Sequence, residues 1–448
     1  MHALTQTPVA PALLTPQTTS AFRKETVMPV MPVLPKPSLR RTLTALSGVA
    51  AALALSVPAA GALTSGPTSG PTSGSTSGPT SGPTTATPAA HGQDAFRGRT
   101  DAAVRKSLKA LVKEDGFPGA LASLSDPGGR ARNYTAGVGN LKTGAKVPTD
   151  GQVRIASNTK MFTATVVLQL VGEGRIDLDA PIETYLPGLV RGDGIDGHDI
   201  TVRQLLQHTS GLADYDEEVV KDYLTKQQHR YFEPRELVEF GLGKKALFAP
   251  GSGWSYSNTN YVLAGLLVQK VTGRPIGEEI THRIIEPLGL RHTYWPGVGD
   301  QTIKGRHPHG YFATAPDTPY TDVTEQDPSA AWAAGGLIGT PSDLNRFLTA
   351  LLDGKLLEPE QLKEMKTTVD APDLDTVGDG HYGLGLATFK LSCGGYAWTH
   401  GGNAPGYTTR NAVTEDGRAA TIAVTALPTT LPAAEHIEAA LDTALCTR

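Results

Sequence analysis

Strand-forming segments open and close the body of this chain and helix-forming segments fill the stretch between, an order that constrains the fold more than any other feature. Gly119 to Ser125 reads as a strand, Asp126-Pro-Gly-Gly129 as a tight turn, and Arg132 to Val138 as the returning strand. Near the other end Tyr396 to Thr399, Tyr407 to Thr414 and Ala419 to Ala426 read as three more, punctuated by Gly401-Gly402 and Glu415-Asp-Gly417. Between them the apolar spacing turns helical. Asn158 to Val171 carries Met161, Phe162, Val166, Val167 and Leu170 on one broad face and stops at Gly172 and Gly174. Val202 to Leu206, Pro234 to Gly241, Tyr261 to Val271 and Pro341 to Leu352 also read as helices. Amphipathic helices are expected at Asp101 to Glu114, through Val104, Leu108, Leu111 and Val112, and at Ala433 to Leu445. The order predicts an α+β fold: an antiparallel β-sheet built from both chain ends and flanked by helices, with an inserted mainly helical region. The expected boundaries are 92–156 and 380–448 for the α/β part and 157–379 for the helical part. Chemistry is expected in the cleft between them.

The residues before this body read as an address and a tether. Lys36, Arg40 and Arg41 precede an uncharged apolar run from Leu43 to Val57, then Pro58-Ala-Ala-Gly-Ala62. Basic flank, apolar centre and small-residue exit are the parts of a secretory signal, so residues 1–62 are expected to be removed near Ala62 and the protein secreted. The Arg40-Arg41 pair fits twin-arginine export, and general secretion fits equally well. The apolar run is short for a bilayer and diluted by Ser, Thr and Gly, so no stable membrane span is expected. Residues 63–91 are nearly all Thr, Ser, Gly and Pro, in repeats such as Thr64-Ser-Gly-Pro67; with no apolar surface to bury they predict a disordered tether.

Charge narrows the partners. Without the leader the chain keeps 35 basic and 43 acidic residues, a formal charge of −8, which excludes a basic nucleic-acid reader. The protein is expected to be a monomer. Cys393 and Cys446 are the only cysteines, and both lie in the exported part. An oxidising compartment favours one disulfide between them, with two free thiols as the alternative. There is no Cys-x-x-Cys and no His-Glu-x-x-His, and His307-Pro-His309 stands alone in a polar loop. No metal and no cofactor is expected.

Three short motifs carry chemistry. Ser157-Asn-Thr-Lys160 begins where the extended Val153-Arg-Ile-Ala156 meets a helix, with Lys160 one turn beyond Ser157 on the same face. A serine hydroxyl needs an adjacent base, and a lysine serves if burial lowers its pKa. An N-capping serine with a surface lysine would leave the same pattern. Tyr256-Ser-Asn258 follows the turn-rich Pro250-Gly-Ser-Gly-Trp254. Tyr256 is a candidate proton carrier and Asn258 a candidate amide clamp, or else a core tyrosine and a capping asparagine. His400-Gly401-Gly402-Asn403 lies between two strands, where Gly401 and Gly402 let backbone approach a ligand, or simply form a hairpin.

The order and spacing of these motifs resemble the serine β-lactamase and D,D-peptidase superfamily. Phe117-Pro-Gly-Ala120, Leu205-Leu-Gln-His-Thr-Ser-Gly-Leu212, Pro250 to Tyr261, Ala334-Gly-Gly-Leu337 and Thr340-Pro-Ser-Asp-Leu344 look like its framework. The branch resembled is the class C β-lactamase-like one, which includes Streptomyces-type D-alanyl-D-alanine carboxypeptidases and related esterases. The resemblance implies a serine hydrolase working through an acyl-serine, with a small peptide, ester or β-lactam substrate as its partner. Ser157 attacks, Lys160 and Tyr256 move the proton, and the backbone N–H groups of Ser157 and Asn403 hold the oxyanion. Asn258 orients the acyl amide, and His400 supplies hydrogen bonding and positive charge beside Tyr256. Gly401, Gly402 and Trp332 are implied to line the substrate site, Trp332 with a structural role as its first reading and His208 as structural. A secreted, penicillin-binding D-alanyl-D-alanine carboxypeptidase is the function implied. An esterase or weak β-lactamase is the alternative, and a non-catalytic penicillin-binding sensor the alternative of another class. One position departs from the carboxypeptidase pattern: Gly401 stands where a hydroxyl residue would help bind a terminal carboxylate.

Overall fold

A computed structural model describes residues 88–372, 374 and 380–447, with backbone alone for 88–97. The expected leader and most of the expected tether lie outside the described residues. Ala120, Ala122 and Leu124 alternate with Leu121 and Ser123 along the strand Gly119–Ser125, so each face of the sheet has its own core. The strand pairs antiparallel with Ala419–Val424 on one side and Ala131–Asn140 on the other, which joins the two ends of the chain. Ala419–Val424 continues to Tyr407–Thr414, then to Tyr396–Thr399, Ala387–Lys390, His381–Tyr382 and Val369–Asp370. Ala145–Lys146 closes the opposite edge, and Gly402–Ala404 pairs with the near end of Tyr407–Thr414. Every pairing in this ten-stranded sheet is antiparallel.

On one face the helices Pro88–Lys113 and Leu431–Cys446 bury Val104, Leu108 and Leu111 with Ile437, Leu441 and Leu445 against Ala120, Ala122, Ala412 and Ala420. Alanines on the sheet let the helices come close. On the other face the helix Pro341–Leu352 lays Phe347 and Leu348 against Leu121, Ala419 and Ala423, in a core continuous with the helical region. Thr340 caps that helix by accepting from Asp343 N. Phe347 stacks on Phe162 with ring centroids 3.7 Å apart, tying it to the central helix Thr159–Gly172. That helix is buried nearly all round, so it presents no single stripe and its residues are fixed from several directions.

The expected strands and helices appear with small shifts at their ends, and three differences matter. The first helix starts upstream of Asp101, at Pro88. The sheet recruits Val369–Asp370 from the segment expected to be helical, and His381–Tyr382 and Ala387–Lys390 extend it past Tyr396–Thr399. These strands are too short to show an alternation of their own and form by pairing with neighbours. No described helix is long and apolar enough to cross a membrane. Cys393 and Cys446 are joined in a disulfide, Cα to Cα 5.5 Å.

Candidate active site

Ser157 occupies the middle of a 3-10 turn, Ala156–Asn158, that runs directly into the helix Thr159–Gly172. The approach is held from below. Val153–Arg154 pairs with Ile338–Gly339, and Ile155 N donates to Leu337 O at 3.1 Å. Ala156, just before the nucleophile, has φ +49, a left-handed conformation that an L side chain enters only under constraint. Asn158 supplies the constraint: its Nδ2 donates to Ile155 O and to Thr409 Oγ1, each at 2.6 Å, and its Oδ1 accepts from Asn411 Nδ2. The middle of the first motif therefore bolts the nucleophile's turn to the strand Tyr407–Thr414.

Lys160 is fully buried. Its Nζ lies 3.2 Å from Ser157 Oγ, 2.5 Å from Asn258 Oδ1 and 2.8 Å from the Ala334 carbonyl. Burial pushes its pKa down to about 7, opposed by the carboxylates of Asp214 and Asp216. An uncharged amine has two hydrogens and one lone pair. Asn258 Oδ1 and Ala334 O only accept, so they take both hydrogens and leave the lone pair for the serine proton. Tyr256 also reaches the serine through a side-chain hydrogen bond, and burial holds its phenol well above the ordinary range, so it stays protonated. The Lys160 ammonium sits 4.8 Å from the centre of the Tyr256 ring.

Behind Asn258 lies an acidic pair. Asn258 Nδ2 donates to Asp214 Oδ2 at 3.1 Å, and Asp216 is hydrogen-bonded to the same amide. Desolvation raises the pKa of both carboxyls, Asp216 further through the neighbouring Asp214 charge. Both keep part of their surface open. The Asn258 amide is thus engaged at both ends, by Lys160 and by the aspartates.

The sheet side meets the turn through glycine. A Cβ on Gly402 would stand 2.3 Å from Ile155 O and 2.7 Å from Asn158 Nδ2, so only glycine lets the strand Gly402–Ala404 lie against the nucleophile's turn. Asn403 is exposed at the cleft, its Oδ1 accepting from Arg410 Nη1 at 3.1 Å. A Cβ on Gly401 would meet that same Nη1 at 3.2 Å. The His400 ring lies 6.3 Å from that of Tyr256, centroid to centroid. Positive charge, expected of His400 from the motif, is not what its surroundings permit: burial, with Lys160 and Arg410 nearby, pushes its pKa down to about 3. The ring is neutral across the physiological range.

Ser157, Lys160, Tyr256, Asn258, His400, Gly401, Gly402 and Asn403 therefore converge on one cleft. Trp332 serves it by backbone. Its residue, at φ +36, opens the short helix Trp332–Gly335 that aims the Ala334 carbonyl at Lys160, while its indole packs on Gly265 and edge-on to Trp295, 6.5 Å between centroids. His208 is buried, its Nδ1 accepting from Ser257 N and Asn260 Nδ2, and it stacks on Tyr256 at 4.4 Å. Sequence reasoning missed Asp214, Asp216 and Tyr382. The acidic run from Asp214 to Glu218, directly after Leu205–Leu212, was a usable signal for the first two. Among the described residues no cluster of three or more His, Cys, Asp or Glu is arranged to hold a metal ion.

The beta-lactamase family model matches residues 104–445, nearly the whole described body. The chain belongs to the beta-lactamase family. It is similar in structure to a D-stereospecific amidohydrolase from a Streptomyces species, with 41% identity and a TM-score of 0.69 over 76% of this chain and 98% of that one. The D-amino acid amidase of Ochrobactrum anthropi SV3, solved with L-phenylalanine amide, shows 30% identity and a TM-score of 0.65 over 77% of this chain and 97% of the other. The esterase EstB of Burkholderia gladioli is 32% identical over 217 residues, 46% of this chain and 53% of the esterase. The chain spans about half the length of the curated relatives it matches. The protein is a serine hydrolase of this family.

Proposed function

We propose that this protein is an exported amidohydrolase that cleaves amides and esters of D-amino acids bearing a free α-amino group, by way of an acyl-Ser157 intermediate. Ser157 attacks the carbonyl while Lys160, short of its third proton, takes the hydroxyl proton. Tyr256, held as a phenol, passes its proton to the departing amine or alcohol while Lys160 hands the serine proton on to Tyr256, so both groups end as they began. The backbone N–H groups of Ser157 and Asn403 receive the oxyanion, and water then hydrolyses the ester with the proton path reversed. Cycling one lysine between charged and neutral forms needs a pKa near the working pH, which supports Lys160 as the base.

The observation that carries the substrate class is the Asp214–Asp216 pair behind Asn258. Both carboxyls keep part of their surface open beside an amide that is already engaged, which favours a substrate that brings a cation, as an α-ammonium does. The names of two structural neighbours, a D-stereospecific amidohydrolase and a D-amino acid amidase, support the stereochemistry. A D-alanyl-D-alanine carboxypeptidase would use the same serine chemistry and would need a cation for its terminal carboxylate. Arg410 is close by, but its guanidinium already donates to Asn403 and to the Thr409 carbonyl and faces Glu438 at 3.7 Å. The free-amine amide is the better fit.

Turnover of D-phenylalanine amide should exceed that of its N-acetyl derivative. Asp214→Asn should raise KM for the free amine by about 10–100-fold, the loss of one charge-assisted hydrogen bond, and change the N-acetyl compound through kcat alone, since losing the carboxylate also lowers the Lys160 pKa. Equal turnover of the two amides by the unmodified enzyme would overturn the substrate class. Export is proposed from the basic, apolar and small-residue order of residues 36–62 and from the disulfide. A mature N-terminus near residue 63 in the culture medium is the expected result. All the proposed catalytic groups come from one chain, so a monomer suffices.

A further inference from the structure

Tyr382 belongs to none of the three motifs, yet it reaches the third one. It is fully buried on the strand His381–Tyr382, and its ring meets His208, Trp254 and His400 at 4.9, 5.9 and 5.7 Å between centroids. Its hydroxyl lies 2.9 Å from His400 Nε2. On the far side of the same imidazole, Nδ1 lies 2.6 Å from the carbonyl oxygen of Gly401. A carbonyl can only accept, so Nδ1 carries the proton. A neutral ring has one proton, so Nε2 is the acceptor and the Tyr382 hydroxyl donates. The network assigns the tautomer and leaves neither ring nitrogen to the substrate.

We propose that Tyr382 is a positioning residue for catalysis: by donating to His400 Nε2 it fixes the Nδ1–H tautomer, and Nδ1–H in turn anchors the Gly401 carbonyl and sets the peptide planes leading to the Asn403 N–H. Gly401 and Gly402 have no side chains to hold them, and a glycine pair can flip its shared peptide at little cost. The imidazole is the tether that keeps the Gly401 carbonyl turned away. Every charged group facing the ring is cationic or neutralised elsewhere: Lys160 from the central helix, and Arg410 from the neighbouring strand with Glu438 on its outer side. The remaining titratable neighbours are the uncharged rings of Tyr256, Tyr382 and His208. Among the described residues no carboxylate reaches the ring to favour imidazolium. Burial and the two cations hold its pKa at about 3.

This inference rests on the acyl-serine chemistry and not on the amine-binding reading, so it is tested with p-nitrophenyl acetate, which has neither amine nor stereocentre. In Tyr382→Phe, kcat should fall by about 10–100-fold with KM within about twofold, the cost of an oxyanion donor displaced by a fraction of an ångström. The pH profile should keep the rise that Lys160 gives near pH 7, since burial and the two cations still hold the imidazole neutral. In a His400→Asn background, where an amide N–H can still hold Gly401 but no Nε2 exists, the same substitution should cost less than about threefold. An equal loss in both backgrounds, or a loss carried by KM rather than kcat, would overturn the assignment. Nitrogen NMR of the imidazoles in the unmodified protein decides the point even if the variant misfolds. A bare, hydrogen-bonded His400 Nε2 supports it, and a protonated Nε2 refutes it.

Discussion

Two walls of one cleft treat a buried nitrogen base in opposite ways. On the helical wall Lys160 is 0% exposed, yet its three contacts are all oxygens and two aspartates stand behind one of them. Desolvation and carboxylates pull against each other, and the amine comes to rest near neutrality. On the sheet wall His400 is 4% exposed, faces two cations and a set of rings, and is driven far from any titration. Burial is common to both, so burial alone does not set the behaviour. The difference lies in whether acceptors with negative charge stand nearby. In the proposed mechanism the wall that takes and returns a proton is the one balanced between charged and neutral forms. The wall proposed to hold the oxyanion is locked in one form, and its fixed dipoles would need no rearrangement as charge develops.

The sharpest way to break this comparison is to remove the atom both walls serve. Ser157→Ala should lower hydrolysis of any ester or amide by roughly 10⁴-fold or more, and any covalent adduct that the unmodified protein forms with benzylpenicillin, read by intact-mass spectrometry, should be absent from the variant. Residual turnover with an adduct still forming would place the nucleophile elsewhere. The next largest effect belongs to the helical wall alone. The neutral form of Lys160 is the active one, so kcat/KM should rise with pH through about 7 and level off above it. Lys160→Gln keeps a donor for Ala334 O but has no basic nitrogen. It should cost about 10²–10⁴-fold and erase that inflection. If the inflection survived in Lys160→Gln, another group on the cleft would own it, and the contrast between the walls would fail.

The strands around Tyr407–Thr414, the central helix and the three motifs were all legible, because long periodic runs and glycine punctuation report the backbone directly. What was hidden depends on partners. Tyr382 sits on a two-residue strand that exists only through its pairing with Thr388 and Ala387 on one side and with Val369 and Asp370 on the other, so nothing in its own neighbourhood announced a strand or a site. The role of Trp332 was obscured in the opposite sense: an aromatic next to Ala334-Gly-Gly-Leu337 invites a cleft-lining reading, while the useful atom is a main-chain oxygen two residues on. The charge of His400 could not be read either, since a motif gives the residue and not the sign of what surrounds it.

The smallest effect on activity is expected from the face the cleft does not use. The disulfide joins Cys393, in the loop after Ala387–Lys390, to Cys446, the last residue of the helix Leu431–Cys446, across 53 residues of chain. Closing a loop of that length restricts the unfolded chain by about 4 kcal/mol in the chain-entropy account. Some of the attachment survives without it, because Asp442 accepts from Ser392 N at 2.9 Å and from the Ser392 hydroxyl. Cys393→Ser with Cys446→Ser should therefore lower the melting temperature by roughly 5–10 °C, read by calorimetry. The helix Leu431–Cys446 packs on the sheet face opposite the helical region, with Ile437 and Leu441 in a core separate from the one that holds Met161 and Phe162. Turnover at 25 °C should accordingly stay within about twofold of the unmodified enzyme. A kcat that fell in step with stability would mean that the sheet transmits strain from its outer face to the His400–Asn403 corner, and the locked wall would then be locked from both sides.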